Sequence, residues 1–496
     1  MRSLPLPLRA ILLVGGLAAV ASYAPPPGPA PARTVTGAVQ SAPGAPLDLG
    51  PEIAGFYRDR GFRPIWVAGA RLRPEAQTLL AAIPASPELS EAVRAAASGA
   101  PHALTRADLL LTRAYADRVA ELGRAPAQTR MRYIDPGLAP AAGSKRAALD
   151  ALAAAPSLAA HLASAMRRNP AYDGLVRGLA LYRARWSALP QHRVAAGQAG
   201  PLRRRLGLPE AGGADAALAA KLREFQTAHA LPASGRPDAA TIAALNRGAA
   251  HYERLITANI ERARAIPAAP GRRYILVDTG SAQLWTVEDG RLTDRMKVIV
   301  GKRDMQTPEM AGLIRYAVLN PYWNLPPDLI RRRAQGAVRR GPGAITAERL
   351  QVLSDWSPQA RTLNPRQVDW RAVAAGRRLV NMRQLPGAQN MMGRVKFMLP
   401  NELGIYLHDT PLRQLFAGAD RRQSSGCIRL EDAQRLGRWL FRGPMPRPSG
   451  APEQNVDLPE PVPVYITYLT VLPTPSGVLF RPDSYGRDRT ASATIR

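Results

Sequence analysis

Cysteine is almost missing: among 496 residues there is one, Cys427. A single thiol excludes an intrachain disulfide framework and any zinc site built on several cysteines. Lysine is scarce too. Lys145, Lys221, Lys297, Lys302 and Lys396 are the full complement, so arginine carries almost all of a formal charge of +29. Alanine, proline and glycine are also abundant, so that charge reads first as a compositional bias. It reads second as attraction to a polyanion, such as an anionic membrane or a carboxylate-rich wall polymer. No basic run is interleaved with aromatics, which leaves nucleic acid as the weakest partner. Nor is there a cluster of ligand residues, so neither a metal nor an organic cofactor is implied. The N-terminal apolar stretch AILLVGGLAAVA (Ala10 to Ala21) is only twelve residues long, too short to cross a hydrocarbon core of about 30 Å. Arg2 and Arg9 precede it and small residues follow up to Ala24, so residues 1–24 read as a secretory signal, or else a short membrane anchor. Pro25 would hinder cleavage directly after Ala24.

With 46% hydrophobic residues and this length, the chain can build two to four domains with buried cores. Residues 25–46 hold almost no large apolar side chain, cannot offset their ordering entropy, and read as a Pro/Ala-rich linker. From 47 to 198 the spacing is helical. In LVRGLALYRARW, Leu175, Leu179, Tyr182 and Trp186 fall at offsets 0, 4, 7 and 11, one face of a helix. Residues 199–248 make a smaller unit. There DAALAAKLREFQTAHAL sets Leu218, Leu222 and Phe225 on one face, and a Gly/Pro turn leads into a helix capped by Asp238. A linking helix occupies 249–270. Beyond it the period drops to two, with strands expected in RRYILVDTGSAQLWTVEDGRLTDRMKVIVG, AGLIRYAVLN, GRVKFML, GIYLHD and PVPVYITYLTVL. This mainly-β domain spans 271–445, is interrupted by an Arg-rich, partly helical insertion at about 327–377, and recovers one strand from a tail, 446–496. The fold class is multidomain α+β.

Cys427 lies in QSSGCIRLED. A thiol of pKa about 8.5 is only a few per cent ionised near neutrality, so a nucleophilic cysteine needs local help. His408, in IYLHDT, lies 19 positions earlier, while His102, His161, His192, His229 and His251 all precede the β-rich region. An imidazole can take the thiol proton and later return one to a leaving amine. The run LEDAQRLGRWLF puts Leu436 and Leu440 on one helix face, with Glu431 and Asp432 in its first turn and Arg438 near its last. Cys427 is therefore expected just before a helix N-terminus, where the dipole favours a thiolate. Gly426 permits a tight turn that aims main-chain amides at a developing oxyanion. On spacing alone, a lone cysteine is more often a small buried hydrophobe. The flanking residues change that weighting.

HDT followed after a gap by SSGCIRL resembles the signature of the L,D-transpeptidase (YkuD-like) catalytic domain. MKVIVGKRDMQTPEM and LNPYWNLPPDL are similar to two further blocks of that family. RQLPGAQNMMGRVKFMLPNELGIYLHDTP and the late PVPVYITYLTVL resemble its larger, Gram-negative, YcbB-like branch, which also carries a helical scaffold and a lid-like insertion. The unit at 199–248 resembles a peptidoglycan-binding type 1 module through Phe225, Gln226, Leu231, Gly235, Asp238, Thr241, Leu245 and Asn246, although its turn reads ASGRPDAAT instead of a fuller DGxxGxxT.

The resemblance implies that Cys427 is the nucleophile and His408 the general base, with the imidazole oriented by a backbone carbonyl such as that of Asp409. It implies an oxyanion hole of main-chain N–H groups at Gly426 and Cys427. Ser424, Ser425, Arg429, Tyr322, Trp323, Asn324 and Tyr406 are the implied substrate contacts, Arg429 through a carboxylate or else as a brace for the following helix. Many family members read Ser-His-Gly-Cys where this chain has Ser425 before Gly426, so His408 must suffice. The implied activity is 3→3 cross-linking of peptidoglycan stem peptides through a cysteine thioester, open to acylation by carbapenems. The expected setting is the periplasm of a Gram-negative bacterium, with peptidoglycan and other cell-wall synthesis enzymes as partners. A catalytically silent wall-binding scaffold, an L,D-carboxypeptidase and a lipoprotein-anchoring transferase are the alternatives.

Overall fold

The computed structural model describes residues 38–39 and 47–488, apart from 84, 85, 128 and 142. The expected signal segment (1–24) and all but two residues of the linker (25–46) lie outside them. Two short ribbons, β1 (Ala38–Val39) with β2 (Leu47–Asp48) and β3 (Val67–Ala68) with β4 (Arg71–Leu72), flank the first of seven scaffold helices. These are α1 (Gly50–Asp59), α2 (Pro74–Ala82), α3 (Pro87–Ala95), α4 (Pro101–Leu122), α5 (Lys145–Ala154), α6 (Leu158–Ala165) and α7 (Pro170–Tyr182). Local chemistry sets their starts. Ser86, Ser144, Ser157 and Asn169 each accept a backbone N–H of the first turn, with Pro87 and Pro170 at opening helical positions. Of the face read from Leu175, Leu179, Tyr182 and Trp186, Leu179 is half-buried against the core and the other three are buried.

The small unit holds α8 (Ala199–Arg205), α9 (Ala216–Ala228) and α10 (Ala239–Arg247). Asp238 caps α10 by accepting the Thr241 amide at 2.8 Å. The fully buried Gln226 ties the turn together. Its amide donates to Ser234 Oγ (3.1 Å), the Arg236 carbonyl (2.8 Å) and Thr241 Oγ1 (2.9 Å), and it accepts from the Gly235 amide (2.9 Å). The linking helix is α11 (Ala249–Arg264).

The β domain closes on itself. Its strands are β5 (Arg132–Tyr133), β6 (Arg273–Asp278), β7 (Gln283–Glu288), β8 (Arg291–Gly301), β9 (Met310–Leu319), β14 (Val395–Met398), β15 (Leu407–His408), β16 (Arg422–Ser424), β17 (Ile428–Leu430) and β18 (Gln454–Thr467). The hydrogen-bonded order runs β14-β15-β17-β8-β7-β6-β18-β9, and β9 pairs back onto β14, with Val395 opposite Leu319 and Met398 opposite Tyr316. Closure leaves no free edge along that ring. Its interior and helix α15 (Ala433–Leu440) share one core containing Val298, Ile314, Phe397, Leu407, Ile428, Leu436 and Leu440.

Three features differ from the sequence-based expectation. The helical scaffold donates β5 to the sheet, in parallel with β9; two residues leave no periodic trace. The insertion is wider than 327–377. It begins at β10 (Trp323–Asn324) and ends at β13 (Asn381–Gln384), which pair with each other and, through β11 (Leu350–Leu353) and β12 (Thr362–Leu363), form a four-stranded sheet. Helices α12 (Pro327–Arg340), α13 (Gly343–Ala347) and α14 (Trp370–Ala374) pack on it around a core of their own, including Ile330, Trp370 and Met382. The segment after 446 holds a hairpin in addition to the one returning strand read from the sequence. β18 sits between β6 and β9, and the hairpin of β19 (Val471–Thr474) and β20 (Gly477–Phe480) packs into the core shared by α7, α9 and α11.

Candidate active site

β15 and β17 run parallel, with Leu407 opposite Ile428 and His408 opposite Arg429. Side chains alternate across a sheet. Leu407 and Ile428 point into the barrel core, fully buried, so Tyr406, His408, Cys427 and Arg429 share the other face. Tyr406 thus neighbours Cys427, and its carbonyl accepts the Ile428 amide at 3.1 Å. The Tyr406 and His408 rings lie 5.8 Å apart at 63°. The parallel pairing brings together two strings 19 positions apart.

His408 is buried, and its Nδ1 lies 2.5 Å from the Asp409 carbonyl oxygen. Nδ1–H donates to that carbonyl, which leaves Nε2 as the lone-pair nitrogen. Asp409 is itself held from three directions. Its amide donates to the Val395 carbonyl (2.9 Å), one carboxylate oxygen accepts the Arg394 amide (2.8 Å), and the other pairs with Arg413. Gly393, at φ +63°, makes room for it, since a Cβ there would sit 2.3 Å from Asp409 Oδ2. Burial, and then the Arg429 charge, push the His408 pKa down to about 3. The ring is therefore neutral at pH 7.

Cys427 is partly exposed, and its thiol donates to the Gly404 carbonyl at 3.4 Å. Burial pushes its pKa up, opposed by the Tyr406 amide, the Arg429 charge and the Tyr406 hydroxyl. Burial and the facing sulfur push the Tyr406 phenol up in turn. The resting pair is thus a neutral thiol and a neutral imidazole, and among the described residues no hydrogen bond joins them. The expected helix-dipole assistance is absent. Ile428–Leu430 form a strand, and α15 starts only at Ala433, capped by Asp432, which accepts the Arg435 amide at 2.9 Å. A dipole acts within about one turn of a helix end, and Cys427 lies beyond that.

The loop before the thiol is braced from below. Gly426 adopts φ +119°, a region L side chains avoid. Its carbonyl accepts Thr307 Oγ1 at 2.7 Å, and Thr307 Oγ1 accepts the Gly301 amide at 2.9 Å. Ser424 Oγ donates to the Cys427 carbonyl (2.6 Å) and accepts the Gly426 amide (3.2 Å). Two expectations change as a result. The Gly426 amide is already engaged, so it is not a free oxyanion donor, whereas the Cys427 amide makes no hydrogen bond among the described residues. Ser424 is 2% exposed and holds the loop, out of a substrate's reach; Ser425 is exposed.

Tyr322, Trp323 and Asn324 belong to the wall between barrel and insertion. The Tyr322 amide donates to Glu453 Oε1 (2.6 Å) and its ring carries the Arg383 guanidinium at 3.9 Å. Trp323 packs against the insertion's core, and Asn324 is exposed. The sequence reading did not single out Thr307, Gly393 or Glu453. Thr307 lies in the MKVIVGKRDMQTPEM block, and Gly393 in GRVKFML; Glu453 carries no local signal.

Residues 272–453 match the family model described as the L,D-transpeptidase catalytic domain (YkuD). Over those residues the chain is similar to YkuD-type L,D-transpeptidase catalytic domains. Residues 51–179 match a "Scaffold domain", and residues 204–245 match a "Putative peptidoglycan binding domain". A curated protein of Haemophilus influenzae, named "Putative L,D-transpeptidase", is 30% identical over 243 residues, 47% of this chain and 47% of that protein. The match thus spans about half of that relative. The solved structure of the Ldtfm–avibactam carbamoyl enzyme aligns with 40% of this chain and 51% of its own at 13% identity, with a TM-score of 0.20. So low a score carries no argument.

Proposed function

We propose that the chain acts on peptidoglycan in the periplasm, transferring a stem-peptide acyl group to the amine of a second stem by way of a thioester on Cys427. The observation that carries this reading is the placement of Cys427 and His408 on one face of the β15–β17 pair, within a domain of L,D-transpeptidase type. Nδ1 of His408 is committed to the Asp409 carbonyl, so Nε2 is the base. As the sulfur attacks the carbonyl of the third stem residue, its proton passes to Nε2. The Cys427 amide stabilises the oxyanion. Collapse breaks the bond to the terminal D-alanine, whose nitrogen takes the proton from Nε2, and a thioester remains. The side-chain amine of a second stem then attacks that thioester and gives a proton to Nε2. Collapse returns the proton to sulfur and leaves a 3→3 amide cross-link. The scaffold and the three-helix unit hold the barrel against the wall polymer in this scheme.

The test is incubation of the protein with tetrapeptide muropeptides, followed by mass spectrometry. D-alanine release together with dimers is expected, and neither from Cys427→Ala. Dimers formed by Cys427→Ala would end the proposal, and D-alanine release without dimers would make the protein a carboxypeptidase.

A further inference from the structure

The insertion carries more charge than its length accounts for. Residues 323–384 hold twelve arginines, no lysine and four carboxylates, a net of +8 in 62 residues, against +21 for the other 434. A uniform compositional bias would spread the excess evenly; here it is more than twice as dense. Three of the four carboxylates are engaged. Glu348 pairs with Arg333 at 2.5 Å and Arg340 at 3.4 Å, Asp355 accepts the Ser357 amide at 2.7 Å, and Asp369 caps α14 through the Ala372 amide at 3.0 Å. Strand register shows where other cations gather. Trp323 lies opposite Gln384, at the end of the small sheet that joins the barrel, whereas Leu353 lies opposite both Asn381 and Thr362 at the other end. The β11–β12 turn (354–361) and the run 377–380 therefore project together from the far end. That tip holds Arg361, Arg377 and Arg378, all exposed, and Arg331 reaches toward it, its Nη1 3.7 Å from where a Cβ on Gly376 would stand. Two apolar side chains stand among these cations. Leu379 is 85% exposed, the most of any large apolar residue among those described, and Trp356 is 50% exposed.

We propose that this tip docks on an anionic phospholipid bilayer, with Trp356 and Leu379 entering the interface and the arginines meeting lipid phosphates. The combination selects that partner. A wall polymer of sugars and short peptides satisfies the cations and leaves a leucine and a tryptophan in water. A bilayer sets a charged layer directly above an apolar one, so both kinds of side chain gain at once. Tryptophan suits such a boundary because its ring is apolar with one polar N–H. A guanidinium presents paired donors that match a phosphate. The insertion has a core of its own, in which Trp370 and Met382 are buried, so the two exposed side chains are not left out for want of an interior. The contact does not depend on the chemistry at Cys427. Docking fixes the far end of an insertion whose root, at Tyr322 to Asn324, forms the wall between it and the barrel.

The single cysteine makes the tip directly readable on the full chain. In a Cys427→Ala background, Leu379→Cys takes one polarity-sensitive fluorophore, and Leu292→Cys, at an exposed leucine near the start of β8, is the control. Both positions are exposed, so folding is retained, and circular dichroism verifies it. Each labelled chain is titrated with vesicles of phosphatidylcholine alone, with vesicles of phosphatidylcholine and phosphatidylglycerol in equal parts, and with isolated sacculi. The label at 379 should brighten and shift to the blue with the mixed vesicles only, while the label at 292 stays unchanged. Adding Arg377→Gln and Arg378→Gln should raise the lipid concentration at half response about 25-fold, at about fivefold per arginine. Raising the salt from about 0.1 M to about 1 M, which cuts the Debye length from about 10 Å to about 3 Å, should weaken the response likewise. A silent label at 379, an equal response at 292, or an unchanged half-response in the double arginine variant would overturn the inference. A response to sacculi in place of vesicles would also overturn it, and would assign the tip to the wall polymer.

Discussion

Lowering the pH from 7 to 5 separates this site from one built on an ordinary histidine. The His408 ring is buried beside the Arg429 charge, and its pKa is pushed down to about 3. An imidazole with the usual value of 6.5 would lose its neutral fraction about 25-fold over that interval, whereas His408 stays almost wholly neutral. The base is therefore present throughout. The same burial has a stability consequence with a definite sign. Between about 6.5 and about 3 the unfolded chain binds a proton at residue 408 that the folded chain does not, so stability falls as pH falls. At pH 5 the loss relative to pH 8 is about 2 kcal/mol, at roughly 1.4 kcal/mol per unit below 6.5. His229, pushed by burial to about 3, adds a similar amount. The assay is the rate of Cys427 modification by a carbapenem, followed by intact mass between pH 4.5 and 8, with circular dichroism reporting the folded fraction. Less than about a twofold change between pH 7 and 5 is expected for folded protein. A fall of about 25-fold centred near pH 6.5, with the dichroism unchanged, would refute the reasoning.

Other substitutions probe the parts that hold the site. Gly426→Ala places a Cβ 3.1 Å from Ile405 Cδ1 at φ +119°; a loss of about 1–3 kcal/mol in denaturant unfolding and slower Cys427 acylation are expected, and an unaffected protein would count against strain at this turn. Glu309→Leu removes the buried carboxylate that pairs with Arg487 at 2.8 Å. It should cost about 1.5–3 kcal/mol; thermal unfolding measures the loss, and an unchanged midpoint would show that the pair adds nothing to stability. Gln226→Leu strands the Gly235 amide and the Arg236 carbonyl, and should destabilise the three-helix unit by about 2–4 kcal/mol. Limited proteolysis within 199–248 is the readout, and undiminished resistance would show that the turn does not depend on that amide.

Much of this protein was legible in its residue order because the governing interactions are local. Period-two runs marked β6 to β9, the Asp-Thr-Gly and Glu-Asp-Gly bends fell between them, and Asp238 announced the helix it caps. The HDT and SSGCIRL strings pointed to His408 and Cys427, and Asp409 to a carbonyl that orients the ring. Strand pairing decided the rest. Closure of β9 onto β14, the entry of β18 between β6 and β9, and the two residues of β5 depend on partners far apart in the chain, and a strand's sequence does not name its neighbour. The protonation state of the site is likewise tertiary. A local reading placed Cys427 under a helix dipole; the fold sets it on a strand, where burial keeps the thiol neutral. Only in three dimensions do Trp356 and Leu379 come to one end of a sheet, because a side chain's neighbours are set by which strands pair and not by the residues beside it in sequence.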